Sequence, residues 1–145
     1  MEKKIAIIDM GTNTFHLLIA EADNKGYHIT HRDRLAVKIG KDGINHGFIT
    51  EEGIQRALLA MQSFKNTLDQ QGVTRTYAFG TSALRNARNS EEVVSRIKAI
   101  TGVESIIISG DQEAEYIYMG VKAAMEIEEV SLIMDIGGGR VEFIV

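Results

Sequence analysis

The stretch that decides the fold is Ile5–Ile19, IAIIDMGTNTFHLLI. A short apolar run ends in Asp9, a Gly-Thr-Asn-Thr turn follows, and a second apolar run begins at Phe15. Strand, tight turn, strand is the reading that suits this order. The same pattern returns at Ser131–Val145, SLIMDIGGGRVEFIV, where apolar strand, Asp135, apolar residue and glycines recur in step. Asp9 and Asp135 stand 126 positions apart, about one domain's length, which points to a duplicated unit. A Gly-rich turn lets backbone N–H groups approach an anion closely, because no side chain stands in the way. The Thr12 and Thr14 hydroxyls and the Asn13 amide add donors, and an aspartate at the strand end can hold a divalent cation. Two such hairpins facing each other would clamp one polyanion from both sides.

Between the hairpins the pattern alternates. Residues 4–9, 15–22 and part of 27–39 read as strands, the last from the alternation of Leu35, Val37 and Ile39. Thr50 caps a helix whose stripe is Ile54, Ala57, Leu58, Met61, Phe64 and Leu68, and Gly72 closes it. A strand over 74–79 runs into GTSALRNARN. Ser90 caps a second helix, closed by Gly102, and 103–108 form a strand. Ser109 and Gln112 have capping-box spacing, so a third helix runs from there to about Glu126. The order βββαβαβα, then β-turn-β, predicts an α/β domain with a mixed sheet.

Composition agrees with that class. The 145 residues are 44% apolar and 25% charged, ordinary for a globular domain and unlike a disordered or collagen-like chain. No apolar run nears the ~20 residues that span a bilayer, so no membrane span is expected. The N-terminal run is too short for a signal sequence and is interrupted by Asp9, so a cytoplasmic location is expected. Cysteine is absent, removing disulfides, thiol catalysis and thiolate metal sites. Proline is absent too, where average usage would give about seven.

Net charge is −4, against a general nucleic-acid binder, and its distribution is uneven. Residues 110–129 hold six acids against Lys122, giving −5, so the remainder sums to +1 and includes Arg32, Arg34, Lys38 and Lys41. A charge run by itself is usually a solvated face.

Four motifs in order, DMGTNTFHLLIA (9–20), FGTSALRNARN (79–89), SGDQEAEYIYMGV (109–121) and DIGGGRVEF (135–143), resemble the exopolyphosphatase / guanosine pentaphosphate phosphatase family. That family belongs to the actin-like, sugar-kinase and Hsp70 ATPase superfamily, built from two ribonuclease-H-like domains. The resemblance implies a first domain over 1–126 and the start of a second, a phosphate-loop hairpin cut short, over 127–145. It implies that Thr12, Asn13 and Thr14 form one phosphate loop and Gly137, Gly138 and Gly139 the other. Arg85 matches a phosphate-contacting arginine, and Glu113 the general base for the attacking water. Asp135 and Glu142 match acidic positions associated with the magnesium and the phosphate end, and Asp9, at its own strand end, is a further candidate for the metal.

On residue type alone Glu113 is an ordinary helix-start acid and Arg85 a surface arginine. Their chemistry nevertheless suits the implied roles. A helix start favours an ionised carboxylate, and a guanidinium fork fits phosphate oxygens. The chain departs from the family at Arg140 and Val141, where a hydroxyl residue usually follows the glycines, at His16, where many relatives carry arginine, and at Lys38. A histidine near a strand is more often structural than catalytic, and His28, His31 and His46 lack metal-ligand spacing.

The expected activity is release of terminal phosphate from inorganic polyphosphate, or of the 5′-phosphate of guanosine pentaphosphate, by metal-assisted attack of a Glu113-activated water. The expected cofactor is Mg2+, and the expected assembly a homodimer that covers strand edges. Two alternatives stand beside it: a non-catalytic phosphate-binding or dimerising fragment, and an ATP-binding kinase or ATPase of the same superfamily.

Overall fold

The computed structural model describes residues 3–127, 129–138 and 141–145, with the backbone alone at Glu142. Gly139 and Arg140, both singled out above, lie outside the described residues, as does the Glu142 side chain.

A five-stranded sheet carries the fold, in the order β3-β2-β1-β4-β5. Strands β1 (Lys3–Met10), β2 (Thr14–Asp23) and β3 (Gly26–Ala36) form an antiparallel meander. Strands β4 (Arg75–Gly80) and β5 (Ser105–Ile107) add in parallel to β1, so the sheet is mixed as expected. Helices α1 (Glu51–Gln71), α2 (Ser82–Asn86), α3 (Ser90–Thr101) and α4 (Gly110–Ala124) connect them. Strands β6 (Ile133–Ile136) and β7 (Val141–Ile144) then make a separate antiparallel hairpin.

Side chains alternate across a strand, so the two faces of the sheet have different fates. Ala6, Ile8 and Met10 of β1, with Phe15, Leu17 and Ile19 of β2, are sealed against Met61 and Phe64 of α1 and Val93 and Ile97 of α3. The opposite face carries Ile7, Asp9, His16, Arg32, Arg34 and Tyr77, all exposed. Helix α4 leans on this open face, with the Phe79 and Tyr116 rings 5.7 Å apart. Among the described residues no helix is long and apolar enough to cross a membrane.

The helix termini follow local chemistry. Thr50 accepts the Gly53 N–H at 3.1 Å, and Gly72, at φ 67°, closes α1 in the left-handed region. Three boundaries differ from the sequence reading. Strand β3 stops at Ala36 because the Val37 and Lys38 N–H groups both donate to the Asn13 carbonyl at 2.9 Å. The cap of α3 is Asn89 rather than Ser90, and its side chain does no capping. It clamps the Ile49 backbone instead, accepting from N–H and donating to C=O at 2.9 Å each. Finally, GTSALRNARN contains a helix of its own, α2, one turn long.

Candidate active site

Strands β1, β4 and β5 are parallel, so their carboxyl ends meet at one edge of the sheet. Open α/β sheets bind ligands at such an edge. Asp9 ends β1, Thr81 follows β4, and Ser109 follows β5 as the cap of α4.

The first turn is held from within and from outside. Gly11 N–H donates to the Thr14 carbonyl at 3.1 Å, and a Cβ on Gly11 would fall 2.8 Å from that same oxygen. From the far side, residues 37 and 38 grip Asn13 through its carbonyl. Thr81 ties the second strand to the turn, its N–H and hydroxyl both donating to the Met10 carbonyl at 3.4 Å. The turn is therefore rigid before any ligand arrives.

The second hairpin meets the first. A Cβ on Gly138 would lie 2.5 Å from Asn13 Nδ2, so a larger residue there would displace the Asn13 side chain. Together the two turns enclose a cavity of about 340 Å³. Thr12, Asn13 and Thr14 line it from one side, Gly137 and Gly138 from the other, and Asp9, Glu113 and Asp135 supply carboxylates.

Glu113 owes its place to a complete capping box. Ser109 accepts the Gln112 N–H at 3.1 Å and the Gln112 side chain accepts the Ser109 N–H at 3.0 Å. This fixes the first turn of α4 and sets Glu113 on the cavity wall. Arg85 stands behind it, not on the wall. Its Nη1 donates to the Ile108 carbonyl at 2.9 Å and to Glu113 Oε2 at 3.0 Å. Its Nη2 is buried and has no hydrogen-bond partner among the described residues. A buried guanidinium nitrogen without a partner is an unused donor beside the carboxylate it holds.

The three cavity carboxylates act on one another. Burial among the pocket walls pushes the Asp9 carboxyl above its usual range, even though the residue itself is open to solvent. His16 opposes that rise, while the charges of Glu113 and Asp135 add to it. Glu142 pairs with Asp135 in the β6–β7 ladder.

This donor set suits magnesium, which keeps several waters and takes one or two carboxylates plus phosphate oxygens. Asp9 and Asp135 face one cavity across the two turns, so a divalent cation there would relieve their mutual repulsion. The described residues contain no cluster of three or more side chains that would form an all-protein cage.

Thr81, Ser82 and His16 also line the cavity, although residue types alone gave them no role. Thr81 and Ser82 lie within the quoted FGTSALR motif, and their position after a parallel strand was the available signal. His16 is opposite Asp9 in the β1–β2 register, which the hairpin reading already contained.

Comparisons with known proteins agree with this geometry. The bifunctional 3-dehydroquinate synthase/phosphatase of Fusobacterium nucleatum is 33% identical over 147 residues, covering 95% of this chain and 22% of that protein. Exopolyphosphatase 1 of Mycobacterium tuberculosis is 30% identical over 142 residues, covering 96% of this chain and 41% of that one. Among solved structures, an exopolyphosphatase from Cytophaga hutchinsonii superposes with a TM-score of 0.95 at 46% identity, over 98% of this chain and 46% of that one. The Aquifex aeolicus Ppx/GppA family member gives 0.87 at 27% identity, over 99% and 47%. The chain thus spans less than half the length of each. A likeness to MamK, with a TM-score of 0.51 at 12% identity, bears on the actin-like fold alone. Residues 18–145 match the Ppx/GppA phosphatase family profile, and the chain belongs to that family.

Proposed function

We propose that this chain supplies the catalytic half-cleft of a polyphosphate-type phosphohydrolase in the cytoplasm. One observation carries the reading: both anion-binding turns, Glu113 and two aspartates line a single cavity. The related exopolyphosphatases support polyphosphate as the substrate, with the 5′-phosphate of guanosine pentaphosphate as the second candidate.

The terminal phosphoryl group would sit between Thr12–Thr14 and Gly137–Gly138, its oxygens accepting from backbone N–H groups and hydroxyls. Glu113 takes a proton from water as the water oxygen bonds to phosphorus. The bridging P–O bond then breaks and the shortened chain leaves with the electron pair. Arg85 holds Glu113 in place from behind the cavity wall, and its positive charge adds to the field that favours a phosphate there. Asp9 and Asp135 would hold magnesium, which neutralises charge on the phosphate oxygens. Most of the acceleration in such a site is positioning and electrostatics.

In this reading residues 1–126 are one ribonuclease-H-like domain and 127–145 open a second, and two copies associate as a homodimer. The experiment is phosphate release from polyphosphate, guanosine pentaphosphate and ATP by the protein and its Glu113→Gln variant, with magnesium present. Loss of at least about a hundredfold in the variant is expected for a general base. Equal rates would remove Glu113 from the mechanism, and release from ATP alone would replace the phosphohydrolase with an ATPase.

A further inference from the structure

The cavity of about 340 Å³ carries three carboxylates, and on the side of His16 it leads out across the open face of the sheet. In the strand register His16 stands opposite Asp9 on β1 and opposite Arg34 on β3, so Asp9, His16 and Arg34 form one row on that face. The next row is Ile7, Leu18 and Arg32. Adjacent strands are about 4.8 Å apart, so the row carries charge roughly 10 Å from the end of β1.

His16 belongs to two depressions at once. It lines the phosphate cavity, and it lines a second hollow of about 470 Å³ formed with Leu17, Leu18, Arg32, Asp33 and Arg34. Arg32 and Arg34 are exposed, and neither takes part in an ion pair among the described residues. Asp33, the one acid of this hollow, pairs with Leu17 on the opposite side of the pleat and accepts the Arg34 N–H at 2.7 Å. Among the described residues neither arginine side chain makes a hydrogen bond or an ion pair, whereas Arg56, Arg85, Arg88 and Arg96 are bonded to carbonyls or carboxylates.

Resting on the phosphohydrolase reading above, we propose that His16, Arg34 and Arg32 form a track for the distal phosphates of a long linear polyphosphate. Electrostatics chooses the direction. The opposite wall is the start of α4, where Asp111, Glu113 and Glu115 stand against Lys122 over the whole helix and would repel a polyanion. A phosphate chain whose end occupies the two turns leaves across β2, where planar guanidinium groups match its oxygens two at a time. The track favours long chains over short ones and over a nucleotide, whose phosphates would not reach Arg32.

Equilibrium binding to the full chain tests this, using long-chain polyphosphate and tripolyphosphate as probes. The Arg32→Gln/Arg34→Gln double variant is compared with Lys65→Gln/Lys98→Gln, which removes equal charge from the helical side. The track predicts that the arginine variant loses about tenfold or more in affinity for the long chain and keeps its tripolyphosphate affinity. Its salt dependence becomes shallower by roughly 0.7 per arginine in the log–log slope, as for other flexible polyanions. The lysine variant keeps both affinities.

Unchanged long-chain affinity in the arginine variant, with tripolyphosphate still bound, overturns the track and leaves the phosphohydrolase reading intact. Equal losses in both double variants overturn it in favour of diffuse charge. A change in the solution mass of the arginine variant, without a change in polyphosphate affinity, overturns it in favour of pairing between copies. Failure of the unaltered protein to bind either probe removes both the track and the reading beneath it.

Discussion

Arg85 Nη1 lies 3.0 Å from Glu113 Oε2, joining the short helix after β4 to the first turn of α4. Both side chains are only 17% exposed, so this ion pair is shielded from solvent on both partners. The same nitrogen caps the Ile108 carbonyl, which ends β5. One guanidinium therefore fixes the strand end, the helix start and the candidate base.

Arg85→Ala would leave a part-buried carboxylate and a carbonyl without their donor. The expected cost is about 2–4 kcal/mol in unfolding free energy, read by urea denaturation. Phosphate release should fall with it. Arg85→Lys should recover part of the stability and little of the activity, because an ammonium lacks the fork. Identical denaturation midpoints for Arg85→Ala and the unaltered protein would show that the pair does not hold the site together.

Gly138→Ala separates the two turns without touching the core. The added methyl would fall 2.5 Å from Asn13 Nδ2, so the Asn13 amide has to leave its place between the turns. Pyrophosphate affinity, measured calorimetrically, is expected to drop about tenfold or more. The thermal midpoint should stay within about 2 °C, since the buried cluster of the five-stranded sheet does not include this hairpin. Full retention of affinity would mean that the loops do not act on one ligand.

Asp9→Asn tests the crowding of carboxylates. A carboxyl raised above its ordinary range by burial costs stability once ionised, and falling pH relieves that cost. The asparagine should therefore raise the thermal midpoint by a few °C at pH 7, and the gain should shrink as pH falls toward 4. Phosphate release should collapse in the same variant. A lower midpoint at pH 7 would show that Asp9 is not under strain.

Acid sensitivity has a separate source on the helical side. Glu51 bonds Arg96 through both carboxylate oxygens at 2.8 Å, which lowers its pKa from 4.5 to about 2. A depressed carboxyl stabilises the fold above its unfolded value, and that contribution disappears as pH falls from 4.5 toward 2. Glu51→Gln should flatten this limb of the stability curve. The pair is solvent-exposed, so the effect is small and salt should weaken it. An acid-unfolding curve that is the same in both proteins would show no contribution from the pair.

Much of the site was legible in the residues because its parts are local. The Asp-x-Gly hairpins, the Ser109–Gln112 capping box and the Gly72 stop each depend on a few consecutive residues whose backbone chemistry is nearly independent of context. The Asn89 cap was misplaced by one residue for the opposite reason. Its side chain is engaged by Ile49, 40 positions away, and no local pattern contains that bond. Arg85 illustrates the same limit: its motif marked it for phosphate, while its partners at Ile108 and Glu113 come from elements 23 and 28 positions on.

By itself the sequence determined the order of elements, the mixed α/β class, the two glycine turns and the uneven charge. These follow from periodicity, from residues that tolerate tight turns, and from simple counting. Only the tertiary structure decided that both turns face one cavity, that Arg85 stands behind Glu113, and that Arg32 and Arg34 lie on the open face opposite Leu18 and His16. Strand order and pleat determine such relations, because a residue's face and its cross-strand neighbour depend on pairing partners far away in the chain.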